Sequence, residues 1–454
     1  MKKGLEVRLS DERLITPSGL TIVGAMLGRS DFVKRSNGKA TDKRSQPYIK
    51  NGDILLTYIG LLCQGKTEFE TVREMVEGDS EYYKLALGIA KEIPSAETLR
   101  QRMDSIGSSM RSEILNANVT LLRNCGVEPS ALSNGYVPVD IDVTPFDNSK
   151  TKKEGVSRTY KGYDGYAPIM AYMGTEGYLI NAELREGKQH CQKDTPEFLK
   201  ETLRLCHQIT DKPLLIRLDS GNDASENLGI LIEDGSYFIV KRNPRNETEE
   251  EWLNNVKEWC LPENIRVPRE GKRVYVGSSW KDVKYFDSDQ NEKTICMRMG
   301  YEVTERTIDK YGQILLAPDI ELNLFWTNTG FSDDTLIELY HKHGESEQFH
   351  SEIKTDMDVE RLPSGKFDTN KLVIELTILA YNILRIMGQV SLDNASSPET
   401  SHPVKRRRLR TVINNLILIA GHVTTHCRNL VLALGRCNVW RFTFLDLFRR
   451  FAST

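Results

Sequence analysis

The sequence predicts an α/β protein in which a mixed sheet in the middle of the chain is flanked by helical N- and C-terminal regions. Three observations predict this fold class. Residues 136–241 alternate strand and helix patterns, whereas residues 1–130 and those after Asp368 carry apolar side chains at helical spacing. Residues 265–330 have the pattern of short strands separated by Gly, Asn and Asp turns.

The composition is that of a globular chain with several domains. Its 454 residues are 39% apolar, which is enough to bury extended cores. No apolar run approaches the roughly 18 residues of a membrane span, and the N-terminus lacks the order of a signal peptide. We therefore expect a cytoplasmic protein with no membrane partner. The eight cysteines form no CxxC pair, so we expect reduced thiols.

Helical patterns dominate both ends of the chain. In residues 1–130, apolar residues recur at helical spacing after Phe69, and Ser95 marks a helix start. A second helical region opens near Asp368 and ends at a linker rich in Ser, Asn and Pro, 391–403. Beyond the linker another helix is predicted, and it begins with the basic residues Lys405, Arg406, Arg407, Arg408 and Arg410.

The first strand of the predicted sheet carries two carboxylates on one face. In residues 136–143, the valine and isoleucine side chains alternate with Asp140 and Asp142, so the two aspartates share a face. A hairpin at 167–184 follows, and then a helix that begins at Asp194.

The next strand is predicted to be covered on both sides. Residues 214–218 form a nearly continuous apolar run, and Asp219 follows directly. A helix at 224–233 and a strand at 236–241 complete the order strand, strand, strand, helix, strand, helix, strand. That order is RNase H-like, and it places Asp142 and Asp219 on neighbouring central strands.

Carboxylates that converge in this way suit the cleavage of a phosphodiester bond. The reaction needs an activated water or hydroxyl and a stabilised leaving oxygen, and two metal ions about 4 Å apart meet both needs. Mg²⁺ prefers oxygen ligands, so Asp142, Asp219 and a third carboxylate would suffice. We expect the third in residues 336–357, read as one helix. An arc of about 60° on this helix holds Tyr340, His343, Glu347 and Lys354.

The spacing of those four residues resembles a family signature. They match three of the four positions of Y-x2-R-x3-E-x6-K, the signature of bacterial insertion-sequence DDE transposases of the YREK group. The resemblance covers about residues 130–435. It includes Asp140 to Thr144, similar to the D-x-T element; Ile216 to Ala224, similar to the second-Asp motif; and Leu379 to Arg385 with Lys405 to Ile413, similar to the C-terminal part.

The resemblance implies a reaction, a cofactor and partners. Asp142, Asp219 and Glu347 would be the catalytic and metal-binding residues, and the long gap between the last two would hold an inserted, mostly β subdomain. The reaction implied is cleavage at element ends followed by strand transfer, with Mg²⁺ or, as a substitute, Mn²⁺. The partners implied are double-stranded DNA with terminal inverted repeats, target DNA, and a second copy of the chain in a synaptic homodimer.

Further residues are expected to contact DNA. The resemblance assigns phosphate contacts to Tyr340, His343 and Lys354, but His343 stands where the family has Arg, and His is only partly charged near neutral pH. The basic residues Lys405, Arg406, Arg407, Arg408 and Arg410 are a second candidate set. In the insert, Trp280 and Trp326 are candidates for stacking on an unpaired base.

Each of these roles has a plainer alternative. Asp140 is a rival to Asp142, Asp219 would also suit a helix N-cap, and Glu347 an exposed helix position. Charge runs are usually solvated helix ends, and a tryptophan in a β subdomain is more often core. Two other functions also stay open: a catalytically idle DNA-binding protein derived from a transposase, and a metal-dependent nuclease without strand transfer.

The expected domain boundaries follow from these patterns. We expect a bacterial protein of the cytoplasm, associated with the nucleoid. Its domains would be a helical N-terminal domain that is a candidate for DNA-end binding (1–130), the first part of the core (131–250), the inserted β-rich subdomain (251–332), the second part of the core with the Glu347 helix (333–390), and a linker with a C-terminal helical region (391–454).

Overall fold

Two units divide the chain, and the backbone passes between them several times. The computed structural model describes residues 4–39, 47–287, 289, 291–400 and 402–452. Unit 1 comprises Met1–Glu128, Phe146–Val156 and Ser351–Thr454, and unit 2 comprises Pro129–Pro145 and Ser157–His350.

The first part of unit 1 is helical, as predicted. Ser95 caps one of its helices, because the Ser95 hydroxyl accepts a hydrogen bond from the Thr98 N–H. The elements are β1 (Leu14–Ile15), α1 (Leu20–Gly28), α2 (Phe32–Gly38), α3 (Asn51–Leu62), α4 (Arg73–Glu77), α5 (Ser80–Leu87), α6 (Ala96–Ile106) and α7 (Arg111–Asn124).

Unit 2 is built on one nine-stranded mixed sheet. Three short strands between β2 and β6 in the chain lie outside this sheet: β3 (Phe146–Asp147, in unit 1), β4 (Ser157–Arg158) and β5 (Asp164–Tyr166). The sheet strands are β2 (Val137–Val143), β6 (Ile169–Met173), β7 (Tyr178–Glu183), β8 (Leu214–Leu218), β9 (Tyr237–Arg242), β10 (Ile265–Arg269), β11 (Lys272–Phe286), β12 (Glu292–Ile308) and β13 (Ile314–Thr327). Their order across the sheet is β10-β11-β12-β13-β9-β8-β2-β6-β7.

The middle of this sheet has the order of strands and helices predicted from the sequence. Strand β6 pairs antiparallel with both β2 and β7, and on the other side of β2 the strands β8 and β9 continue the sheet parallel to β2. All five residues of β8 are buried, which explains its apolar run. The predicted fold class, an α/β protein with a mixed sheet and helical flanks, is confirmed.

The inserted β-rich segment extends the same sheet, because β13 pairs antiparallel with β9. The prediction of short strands at 265–330 was wrong: β11, β12 and β13 have 15, 17 and 14 residues. Some glycines that were read as turns lie inside strands. A Cβ at Gly277 would meet the Tyr301 hydroxyl, and one at Gly300 would meet the Leu336 side chain. These glycines allow close packing rather than chain reversal.

The helices of unit 2 are α8 (Thr195–His207), α9 (Ser225–Asp234), α10 (Glu249–Trp259), α11 (Asp333–His341) and α12 (Ser346–Ser351). The single helix predicted for 336–357 is thus interrupted. A 3-10 segment, Lys342–Glu345, joins α11 to α12, and a π-helical turn, Glu352–Asp356, follows. Gly344 lies in the 3-10 segment, where its low helix propensity favours a break in the α-helix.

The last part of unit 1 contains a hairpin that the sequence analysis missed. Its elements are α13 (Phe367–Leu392), α14 (Leu409–Val412), β14 (Gly421–His426), β15 (Asn429–Leu434) and α15 (Arg441–Ala452). Strand β14 pairs with both β1 and β15. We expected no apolar run long enough to span a membrane, but α13 has the length and composition to do so. Since 89% of its most apolar stretch is buried inside the structure, it has the character of a core helix.

Candidate active site

One face of the sheet in unit 2 brings together most of the predicted acidic residues. Asp140 in β2 lies directly opposite Tyr172 in β6 and Arg217 in β8. Paired residues project from the same face of a sheet, and so do residues two apart in a strand. Asp142 and Asp219 therefore continue this face, Asp142 within β2 and Asp219 just beyond the end of β8.

Asp142 and Asp219 are neighbouring carboxylates. Burial and, after it, the negative charge of Asp142 raise the pKa of Asp219, although Asn222 donates an amide hydrogen bond to Asp219 Oδ1 at 2.6 Å. Burial also acts to raise the pKa of Asp142, but His350 and the charge of His343 hold that pKa below its ordinary value. Two carboxylates repel each other strongly where little water screens them.

Asp140, the rival candidate, is already neutralised. The guanidinium of Arg217 donates two hydrogen bonds to it, at 2.6 and 2.7 Å, and His343 Nδ1 lies 2.9 Å from Asp140 Oδ1. Burial acts to raise the pKa of Asp140, but Arg217 and His343 hold it below its ordinary value. Because its side chain is only 4% exposed, Asp140 is a buried ion-pair partner and not an open ligand.

His343 therefore does not lie on the surface, where a phosphate contact was expected. It is buried, and burial alone would lower its pKa, but the hydrogen bond with Asp140 and the charges of Asp140 and Asp142 raise it. The expected contact of His343 with a DNA phosphate is therefore corrected, because its imidazole contacts the Asp140 carboxylate instead.

Glu347 is on the helix that packs against this sheet face. Phe349 of α12 lies against Gly177, where a Cβ would meet its ring at 2.3 Å, and the positive φ of Gly177 also suits the tight turn between β6 and β7. One helical turn from Glu347, His350 Nε2 lies 3.5 Å from Asp142 Oδ2. Glu347 itself is exposed, and its carboxylate makes no hydrogen bond or ion pair within the described part of the chain.

The three carboxylates are thus not gathered into one cluster. Among the described residues, no group of three or more His, Cys, Asp or Glu side chains is placed to hold a metal ion. The donor chemistry nevertheless fits a hard divalent cation. Asp142 and Asp219 supply neighbouring oxygens whose repulsion a cation would relieve, and Glu347 has an unpaired carboxylate three residues from His350, a spacing that makes them neighbours on the helix surface.

Tyr340 and Lys354, the other members of the four-residue pattern, are half-buried. Burial, followed by the charges of Asp219 and Asp142, raises the pKa of Tyr340, whose ring packs on Phe325 with centroids 4.7 Å apart. In unit 1, the Lys354 ammonium lies over the Phe146 ring, 5.5 Å from its centroid.

Several side chains of the basic segment from Lys405 to Arg410 contact other residues of unit 1. Arg407 is buried: it donates hydrogen bonds to Ser391 and Pro398, and its guanidinium stacks over the Trp440 ring at 4.9 Å. The expected DNA contact of Arg407 is therefore corrected to a structural one, because its donors face protein acceptors. Arg408 and Arg410 both pair with Asp356, yet their side chains are 53% and 58% exposed, and Lys405 is exposed.

The two candidate tryptophans differ in their exposure to solvent. Trp280 is 67% exposed in β11. Trp326 is 8% exposed, its indole N–H donates to Asp223 Oδ1 at 3.1 Å, and Arg242 lies over its ring. The expected base stacking by Trp326 is corrected to a core role. The partner Asp223 is buried as well.

Two residues at this site escaped the sequence analysis. His350 lies beside Asp142, and the exposed Tyr160 donates its hydroxyl to the Val143 carbonyl at 3.3 Å. Burial and, after it, the charges of Asp142 and Asp219 raise the pKa of the Tyr160 hydroxyl. No local pattern marked Tyr160. His350 had one signal: it follows Glu347 by three residues on a predicted helix.

Comparison with known proteins defines the class of this chain. A family model described as "Transposase DDE domain group 1" matches residues 2–454, and the chain belongs to this family of DDE transposases, enzymes that act on DNA. No curated protein matches the sequence. Among solved structures, the chain is similar to the piggyBac transposase in a cryo-EM synaptic complex with hairpin DNA. The identity is 10%, the alignment covers 90% of this chain and 82% of that one, and the TM-score of 0.39 is too low to establish a shared fold.

Proposed function

We propose that this transposase-family chain cleaves DNA at the ends of a bacterial insertion sequence and joins the freed ends to target DNA. The observation that carries the proposal is the pair of carboxylates, Asp142 and Asp219, on neighbouring strands of a mixed sheet, with the unpaired Glu347 on the helix that contacts Asp142. Family membership supplies DNA as the substrate.

In this proposal Asp142, Asp219 and Glu347 hold Mg²⁺, for which Mn²⁺ substitutes. Bound divalent cations supply an activated water or hydroxyl and stabilise the charge of the leaving oxygen. Glu347 joins the aspartates by a side-chain rotation when the cation and DNA are present, because catalytic contacts are often loose before substrate binds. Tyr340 lies close enough to the acids for the charges of both aspartates to perturb it, and its phenol would face the scissile phosphate.

The partners follow from the same proposal. Double-stranded DNA with terminal inverted repeats, target DNA and a second copy of the chain would form the synaptic complex, in the bacterial cytoplasm at the nucleoid. Residues 1–130 would bind the element ends, 131–250 and 333–390 would form the catalytic core, and 251–332 and 391–454 would contribute DNA contacts. The proposed contacts, restricted to side chains with exposed or half-buried positions, are Lys354, Lys405, Arg406, Arg408, Arg410 and Trp280.

A cleavage and strand-transfer assay tests the proposal. The substrates are duplexes that carry the inverted repeats flanking the gene, a scrambled duplex and a target plasmid, with Mg²⁺ or Mn²⁺. We expect the wild type to cut the end duplex and transfer it. Glu347→Gln should abolish cutting and leave end binding intact in a gel-shift assay. Glu338→Gln, which removes only an exposed pair with Lys342 at 2.7 Å, is the matched control and should cut normally.

A second function has one observation in its favour. Because the three carboxylates are not clustered, the chain also fits a catalytically idle DNA-binding protein derived from a transposase. End binding without cutting under either cation would establish that alternative. Cutting of the end and scrambled duplexes alike, with no transfer, would instead identify a nuclease. Loss of end binding in Glu347→Gln would show that we have misassigned this residue.

A further inference from the structure

His350 is a buried residue beside the proposed metal site that no sequence motif included. It is 4% exposed, and its Nε2 atom lies 3.5 Å from Asp142 Oδ2, too far for a well-formed hydrogen bond. Nε2 is buried and has no hydrogen-bond partner. A buried polar atom left without a partner costs free energy, so its position facing a carboxylate calls for a function.

Tyr172 fixes the orientation of this imidazole. The Tyr172 hydroxyl lies 3.1 Å from His350 Nδ1 and 3.2 Å from the sulfur of Met170, and the two rings meet edge to face at 5.2 Å. A neutral imidazole nitrogen is a much stronger acceptor than a thioether, so the hydroxyl donates to Nδ1 and Nε2 carries the proton. In the imidazolium, both nitrogens carry protons. In either state an N–H points at Asp142.

A second aspartate–histidine pair on the same strand face is closer than the pair of Asp142 and His350. Asp140 and Asp142 are two residues apart in β2, and the histidines that meet them, His343 and His350, are seven residues or about two helical turns apart. The first pair is closed at 2.9 Å, whereas the second is open at 3.5 Å. The open pair leaves Asp142 able to turn toward another cation.

We propose that His350, held by Tyr172, is a positioning residue that orients the Asp142 carboxylate for the divalent cation of the proposed transposase site. Its N–H faces Asp142 Oδ2 from the helix side, the Val143 N–H donates to Asp142 Oδ1 at 2.7 Å, and the carboxylate's other lone pairs are left for the ion. Groups that orient a metal ligand in this way commonly change metal affinity by about 10–100-fold. The inference rests on the proposed function, because it requires Asp142 to be a ligand.

Mn²⁺ binding to the full-length protein without DNA tests this role. The EPR signal of free Mn²⁺ reports affinity, and thermal unfolding reports folding. We expect His350→Ala to weaken Mn²⁺ binding about 10–100-fold, and His350→Gln, whose amide N–H reaches a similar position, to restore most of the affinity. Tyr172→Phe should cause a smaller loss. His207→Ala is the matched control, since it removes a His–Asp pair with Asp234 in which the His207 side chain is 48% exposed, and it should bind Mn²⁺ as the wild type does.

The outcomes separate the two proposals. If the wild type binds Mn²⁺ and folded His350→Ala binds equally well, the positioning role is wrong and the proposed function stands. Failure of folded His350→Gln to restore affinity would also overturn a role carried by the N–H. If His350→Ala does not fold, near-wild-type affinity in His350→Gln together with a loss of less than about 10-fold in Tyr172→Phe still supports the N–H. A loss of about 10-fold or more in folded His350→Gln contradicts it. If the wild type itself binds no Mn²⁺, the proposed metal site fails.

Discussion

Asp140 and Asp142 lie two residues apart on one face of the same strand, yet their surroundings are opposite. Asp140 is 4% exposed and accepts hydrogen bonds from Arg217 while contacting His343. Asp142 is 24% exposed, faces a histidine at 3.5 Å, and lies near the like charge of Asp219. One carboxylate has its full set of positive partners, and the other has an incomplete set.

This difference shows how a single strand can hold a carboxylate whose charge is balanced beside one whose charge is not. A buried acid that is balanced by a guanidinium is costly to disturb, because either partner alone would be an uncompensated charge. An acid that faces another acid is destabilised as long as both are ionised, and a cation removes that cost. The charge left over at Asp142 and Asp219 therefore supports the proposed cation site, whereas the balanced charge at Asp140 holds β2, β8 and the segment Lys342–Glu345 together.

The largest expected effect is on catalysis at Asp142. Asp142→Asn should reduce end cleavage by about 10³-fold or more, since lost cation binding removes several kcal/mol of transition-state stabilisation. Its unfolding free energy should fall only slightly, because the lost attraction to His350 and His343 is partly offset by relief of the repulsion with Asp219. Cleavage kinetics and urea denaturation measure the two quantities. Cleavage within a few-fold of wild type would show that Asp142 is not a ligand.

Asp140→Asn is the matched substitution, and we expect it to act on stability. It leaves Arg217, which is 3% exposed, without its counter-charge, so the unfolding free energy in urea should fall by about 3–5 kcal/mol. The double variant Asp140→Asn with Arg217→Met should recover part of this loss. If Asp140→Asn instead kept full stability and lost cleavage, the roles of the two aspartates would be exchanged.

The smallest expected effect is the pH dependence of stability that arises from the contact between His343 and Asp140. Its pKa is raised above the ordinary 6.5 in the folded protein, so its contribution to stability is complete below that value and is lost as the pH rises through the folded pKa. For one proton the slope is at most about 1.4 kcal/mol per pH unit. Urea denaturation above pH 6.5 should show this fall in the wild type and a flatter profile in His343→Gln. Equal slopes in both proteins would rule out His343 as the source.

Several features of the site were predictable because they depend on local pattern. Alternation in β2 put Asp140 and Asp142 on one face, and the apolar run of β8 placed Asp219 at the end of a buried strand. The burial of His343, Arg407 and Trp326 was not predictable, because it depends on partners distant in sequence. Those partners are Asp140, Trp440 and Asp223, respectively.

The same distinction applies to the whole chain. Periodicity by itself determined the helical flanks and the succession of strands and helices in the middle of the chain, because both arise from contacts that repeat along a short segment. Only the tertiary structure decided that the insert extends that sheet, that β14 pairs with β1, and that a histidine rather than Glu347 lies against Asp142. Such outcomes depend on which distant segments meet, and that is set by the packing of the folded chain as a whole and not by the pattern of any one segment.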